Sequence, residues 1–144
     1  VPFYFAPRSP MLYALMKGKV AGFQGTQEEI VYIVATAEAI AQHKCEFAFT
    51  DGHPVMAFSN FYLDLGDLRE VDWALMESKY WNDTQQDSDR KRRRQAEFLV
   101  RSHLPWSLVD RVVTKNTAVK MQVAEILNHA GVPTPVEAQP AWYY

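Results

Sequence analysis

The stretch that most restricts how this chain can fold is Arg90-Lys91-Arg92-Arg93-Arg94-Gln95-Ala96-Glu97-Phe98-Leu99-Val100, where five consecutive cations run into a carboxylate set in an apolar segment. Strand side chains alternate, so Ala96, Phe98 and Val100 face one way while Glu97 and Leu99 face the other. An isolated buried carboxylate is costly, so the Glu97 face either borders a cleft or supplies the acid with a partner. The pattern suggests a polyanion, gripped by the arginines, meeting a single working acid. The plainer alternative is a basic loop in water beside a Glu97 paired with one of its arginines.

Charge and cysteine content narrow the classes of function. A formal net charge of -2 over 144 residues means that any binding of nucleic acid must come from local charge, and the run at 90–94 holds five of the fifteen Lys and Arg. With 48% hydrophobic residues the chain can build a real core, and a single domain over 1–144 is expected. The lone cysteine, Cys45, excludes an intrachain disulfide framework, and the four His show no spacing suited to zinc, so a reducing compartment, the cytoplasm, and no metal are expected. No apolar run approaches membrane-spanning length, and no signal-peptide pattern is present. The chain opens at Val1, without methionine and directly on an apolar run, so a domain truncated at its N-terminus is expected.

Along the chain, residues 1–5 read as a short strand feeding Ser9-Pro10, where Ser9 suits a helix N-cap and Pro10 the first helical position. Arg8 thereby falls at a strand-to-helix turn, next to amides that suit phosphate; pairing with a nearby acid is the other reading. The glycine-rich residues 18–25 lack the spacing of a nucleotide-binding loop and read as an ordinary connection. Residues 29–35 are nearly continuously apolar and predict a central strand. Residues 47–57 predict two short strands around the Asp51-Gly52 turn, with His53 just beyond it, facing a cleft or simply solvated. A helix is expected over 71–80, a mobile loop over 82–89, and a strand over 111–114. The best helix starts at a cap on Asn116 or Thr117 and is stopped by Gly131, and the tail from Pro133 predicts an edge strand. Short strands and helices in irregular order give an α+β fold.

Taken together, Phe3-Tyr4-Phe5-Ala6-Pro7-Arg8-Ser9-Pro10-Met11-Leu12-Tyr13, Phe49-Thr50-Asp51-Gly52-His53, Asp72-Trp73 with Tyr80-Trp81, and Gln95-Ala96-Glu97-Phe98-Leu99-Val100 resemble the DarT family of DNA ADP-ribosyltransferase toxins. The resemblance implies an ADP-ribosyltransferase-like split mixed β-sheet with flanking helices, with NAD as co-substrate. It implies transfer of ADP-ribose onto thymidine of single-stranded DNA, and a macrodomain antitoxin as partner. Carried onto this sequence, Glu97 matches the catalytic glutamate and Arg8 the arginine that holds NAD, with Tyr4, Ser9 and Met11 as further candidate NAD contacts. The segment before Glu97 matches a substrate-recognition loop, which makes Lys91, Arg92, Arg93 and Arg94 candidate nucleic-acid contacts. His53 is a candidate proton relay, and Tyr80 and Trp81 are candidate stacking platforms, although such aromatics also serve as core. The alternatives are an ADP-ribosyltransferase acting on RNA, protein or a small molecule, and a catalytically silent nucleic-acid-binding module.

Overall fold

The structure, a computed structural model, describes all residues from Val1 to Tyr144. Backbone contacts divide it into two compact units, one formed by residues 1–10 and 37–104 and the other by residues 11–36 and 105–144.

The first unit is built on an antiparallel sheet of β1 (Pro2–Tyr4), β5 (Glu97–Val100), β3 (Phe47–Thr50) and β4 (Phe61–Tyr62), in that spatial order. Period-two alternation assigns its two faces. Phe3, Phe98, Phe49 and Tyr62 stand opposite one another across the four strands, and the next row over holds Tyr4, Glu97, Thr50 and Phe61. The phenylalanine face is the core: Phe49 and Phe98 are buried, Phe47 stacks on Phe98 at 5.0 Å, and Phe5 meets Phe49, Phe98 and Trp73 edge-on. Each buried ring contributes about 2–3 kcal/mol by leaving water. Helices α2 (Ala37–Gln42), α3 (Trp73–Glu77) and α4 (Arg90–Arg93) complete this unit, and Ile40, Leu75 and Met76 join the core.

The second unit holds β2 (Tyr32–Val34), β6 (Arg111–Thr114) and β7 (Val136–Ala138) in the order β2-β6-β7, with α5 (Thr117–His129) and nearly all of α1 (Pro10–Met16). β6 and β7 are parallel, and α5 makes the crossover that a parallel pair requires. Asn116 caps α5 by accepting from the Val119 amide at 2.9 Å, and Gly131, at φ 68°, ends it. Tyr143 locks the tail: its buried hydroxyl lies 2.9 Å from the Ile30 carbonyl and 3.1 Å from that of Val113.

The apolar run at 29–35 is not a central strand. Only Tyr32–Val34 are paired, β2 lies on the edge, and Ile33 is 43% exposed. A continuous apolar run here reflects one covered face, not two. The hairpin expected over 47–57 is also longer than its Asp-Gly signal suggests. Residues 51–60 form a loop, and the partner of β3 is β4. The Asp51 carboxylate closes this loop by accepting from both the backbone and side-chain nitrogens of Asn60, at 3.0 and 2.9 Å.

Candidate active site

Strand direction brings three candidates to one end of the first unit's sheet. β1 runs antiparallel to β5 with Tyr4 opposite Glu97, and β3 runs antiparallel to β5, which puts Thr50 on the other side of Glu97. The chain therefore leaves β1 toward Arg8, leaves β3 toward His53, and enters β5 at Glu97, all at the same sheet end. Thr50 fixes the Glu97 backbone on both sides: its hydroxyl accepts from the Glu97 amide at 3.0 Å and lies 3.4 Å from the Glu97 carbonyl. In the sequence Thr50 carries no signal of this role beyond its place directly before Asp51-Gly52-His53.

Glu97 is half-buried on its row with Tyr4, and burial holds its carboxyl above the usual carboxylate range while His53 draws it back down. The Tyr4 phenol is raised in turn, first by burial and then by the Glu97 charge. These couplings put Tyr4, Glu97 and His53 in one electrostatic neighbourhood. His53 Nδ1 is buried and makes no hydrogen bond within the protein.

Arg8 sits in the turn after β1 at φ 55°, a left-handed conformation that costs a residue with a side chain about 1–2 kcal/mol. Strain of this kind persists only where neighbours impose it. Here Arg94 donates to the carbonyl of Pro7 at 2.8 Å, tying the Arg8 turn to the segment that enters β5. Ser9 is buried directly after Arg8, and Met11, on the first turn of α1, is 50% exposed.

The cations of the basic run are engaged within the protein, and residues 90–93 form a helical turn. Arg90 donates to the carbonyls of Asn82 and Tyr80, and Lys91 faces Asp83 at 3.6 Å. Arg92 bridges Asp51 and Asp89, Arg93 pairs with Asp72 and Asp87, and Arg94 is buried, donating to the carbonyls of Leu75, Met76 and Pro7. Glu97 appears in none of these ion pairs, so the plain reading of a carboxylate matched to its own arginines does not describe this site. Of the two ring candidates, Trp81 is buried in the core, whereas Tyr80 is 74% exposed. A shallow hollow lined by Glu46, Phe47, Ala48, Leu99, Val100 and Arg101 lies toward the far end of β5 and includes none of the candidate residues. No group of three or more His, Cys, Asp or Glu is placed to hold a metal ion, and no helix is long and apolar enough to cross a membrane.

This α+β fold, with a solitary raised glutamate beginning a central strand, is that of the ADP-ribosyltransferases of the DarT type. The family model for the single-stranded DNA thymidine ADP-ribosyltransferase DarT matches residues 1–144, and the chain belongs to that family. It is 39% identical to the DNA ADP-ribosyl transferase of Thermus sp. (strain 2.9) over 127 residues, covering 88% of this chain and 59% of the relative. It superposes on Thermus sp. 2.9 DarT in complex with NAD+ with a TM-score of 0.93 at 36% identity, covering 100% of this chain and 72% of the other. It superposes on the same protein in complex with ADP-ribosylated single-stranded DNA with a TM-score of 0.92, covering 100% and 68%. The chain spans about three fifths of the length of the curated relatives it matches, 59% for the Thermus sp. protein and 63% for that of Thermus aquaticus.

Proposed function

We propose that the protein carrying this chain transfers ADP-ribose from NAD onto thymidine of single-stranded DNA, with Glu97 as its catalytic carboxylate. The observation that carries this reading is the isolated, half-buried Glu97 at the sheet end where the chain also turns through Arg8 and His53. Family membership and the NAD+ and ADP-ribosylated DNA complexes of the Thermus relative support it. The donor set fits NAD: a guanidinium for the diphosphate at Arg8, with Tyr4, Ser9 and Met11 along the same segment.

As substrate, NAD supplies the ADP-ribosyl group when the bond between nicotinamide and the anomeric carbon breaks. Nicotinamide leaves with the bonding pair, positive charge grows on the sugar, and the thymine nitrogen that forms the new bond loses its proton. Glu97, ionised and held close, stabilises that positive charge more in the transition state than in the ground state. Arg8 holds phosphate and offsets negative charge developing on thymine; a guanidinium donates and has no acceptor site, so it is not the base. His53, on the loop after β3 and electrostatically coupled to Glu97, accepts the thymine proton. A macrodomain antitoxin is the partner this family resemblance predicts, and the cytoplasm the expected place of action.

For the nucleic acid, the proposal divides the basic run by exposure. The Lys91 side chain is 53% exposed, against 13% for Arg92 and 26% for Arg93. Lys91 meets phosphate, while Arg92, Arg93 and Arg94 serve binding chiefly through the segment they hold in shape; Tyr80 offers a ring to a base. Replacing Lys91 by Gln should reduce the slope of log affinity against log salt by about 0.7 for single-stranded DNA, measured by anisotropy of a labelled oligonucleotide. An unchanged slope would remove Lys91 from the phosphate path.

The whole reading is tested by incubating the complete gene product with NAD and single-stranded oligonucleotides with and without thymidine. Mass analysis should find one ADP-ribosyl group per modified oligonucleotide, on thymidine alone. Label on RNA, on protein or on thymidine-free DNA would replace the acceptor, and absence of both label and NAD binding would leave a binding module.

A further inference from the structure

One arginine of the basic run, Arg92, reaches both ends of the loop that carries His53 and is anchored from its other side by Asp89. The Arg92 Nη1 donates to Asp51 Oδ1 at 3.0 Å and to Ser59 Oγ at 3.1 Å, the two ends of the 51–60 loop. Its Nε and Nη2 donate to the two oxygens of Asp89 at 2.8 and 2.7 Å, a two-pronged contact that only a guanidinium can make. The guanidinium also lies 5.2 Å from the centre of the Phe58 ring. Both backbone polar groups of His53 are held by the same assembly. The His53 amide donates to the Arg92 carbonyl at 2.9 Å, and its own carbonyl accepts from Ser59 Oγ at 2.8 Å.

Gly52 completes the fit. A Cβ there would stand 2.1 Å from Arg92 Nη1 and 2.8 Å from Cζ, so the Arg92 side chain occupies the space that a side chain at position 52 would need. Arg92 is only 13% exposed and paired with two carboxylates, so its charge is spent inside the protein. Such a residue is poorly disposed to grip DNA and well disposed to hold a loop.

We propose that Arg92 is a positioning residue: by clamping the 51–60 loop through Asp51, Ser59 and its own carbonyl, it fixes His53 beside Glu97. This rests on the catalytic reading of Glu97 and His53 given above. The titratable groups coupled to Glu97 are the Tyr4 phenol from β1 and the His53 imidazole from the loop after β3, and only the second pulls the Glu97 carboxyl toward ionisation. Releasing the clamp therefore weakens that pull, and Glu97 protonates at higher pH.

The test compares Arg92→Lys, His53→Gln and the double variant of the complete protein. The lysine keeps the charge and loses the fork, so the salt dependence of DNA binding should stay as in the parent. The Glu97 carboxyl titration, followed by NMR without any need for turnover, should move upward in Arg92→Lys and in His53→Gln. In the double variant it should move no further than in His53→Gln alone, because both changes act through one group. Transfer by Arg92→Lys should fall on the order of 10²-fold, with the acid limb of its pH profile displaced upward. A Glu97 titration unmoved in Arg92→Lys, or moved additively in the double variant, overturns the proposal. A titration that moves as stated while transfer is undiminished upholds the clamp and overturns the catalytic reading of the two residues it serves.

Discussion

Glu97→Gln is expected to abolish transfer, by about 10²- to 10⁴-fold or more, while the protein melts at a higher temperature than its parent at neutral pH. The two effects share one cause. Burial on the row between Tyr4 and Thr50 favours the protonated carboxyl, so Glu97 carries a raised pKa in the folded protein. The folded state thus binds this proton more tightly than the unfolded chain does. Stability is full below the unfolded pKa of the group and is lost as pH rises through the folded one. Gln has no charge to keep out of water, so the substitution removes that loss at pH 7, and the two melting curves converge in acid. Catalysis asks for the opposite: only the ionised carboxylate stabilises positive charge on the sugar, so activity of the parent should fall as pH drops through the raised Glu97 pKa. NAD titration by calorimetry should show binding retained in the variant. Undiminished transfer by a folded Glu97→Gln protein, scored by incorporation of labelled ADP-ribose into DNA, would refute the assignment. A lower melting temperature at neutral pH would refute the account of its environment.

Local chemistry was the part written plainly in the sequence. Pro10 opening a helix, Asn116 capping one and Gly131 ending it are decided within a few residues, and each lies where its chemistry requires. The alternation of Glu97 with Phe98 and Val100 was equally local, and it correctly put the acid on the face away from the phenylalanine core. What could not be read were pairings across long stretches of chain. Arg92 meets Asp51 forty-one residues away and Arg93 meets Asp72 twenty-one away, so a run that looks like a free cationic loop is a set of internal ties. Even the nearer acids, Asp87 and Asp89, fall in the segment read as a mobile loop, and it is the helical turn at 90–93 that brings them within reach of Arg92 and Arg93. The partner of β3 escaped for a related reason: Val55–Ala57 lie nearer in sequence, but turns closed by Met56 on His53 and by Ser59 on Met56 defer the return strand to Phe61.

Arg94→Met should destabilise the fold by about 3–5 kcal/mol, the largest loss expected from any single change in the basic run. Arg94 is 4% exposed, and its guanidinium supplies three carbonyls, those of Leu75 and Met76 at the end of α3 and that of Pro7 ahead of Arg8. Methionine can fill much of the volume but can donate to none of them; the Leu75 carbonyl still accepts from the Ser78 amide at 3.1 Å, whereas those of Met76 and Pro7 lose their donor, at about 1–3 kcal/mol for each stranded buried acceptor. α3 is only five residues long, so its last carbonyls depend on partners from outside the helix. Pro7 matters more for function than for stability. With its carbonyl released, nothing in that contact holds Arg8 in its left-handed conformation, and the turn is free to relax to a less strained one. Chemical denaturation should therefore show a reduced midpoint, and NAD affinity in the remaining folded protein should fall as well. Arg94→Lys, which retains the charge but offers no planar fork, should recover part of the stability and little of the NAD affinity. Equal recovery of both would mean that Arg94 supports the fold alone and leaves the Arg8 turn to other contacts.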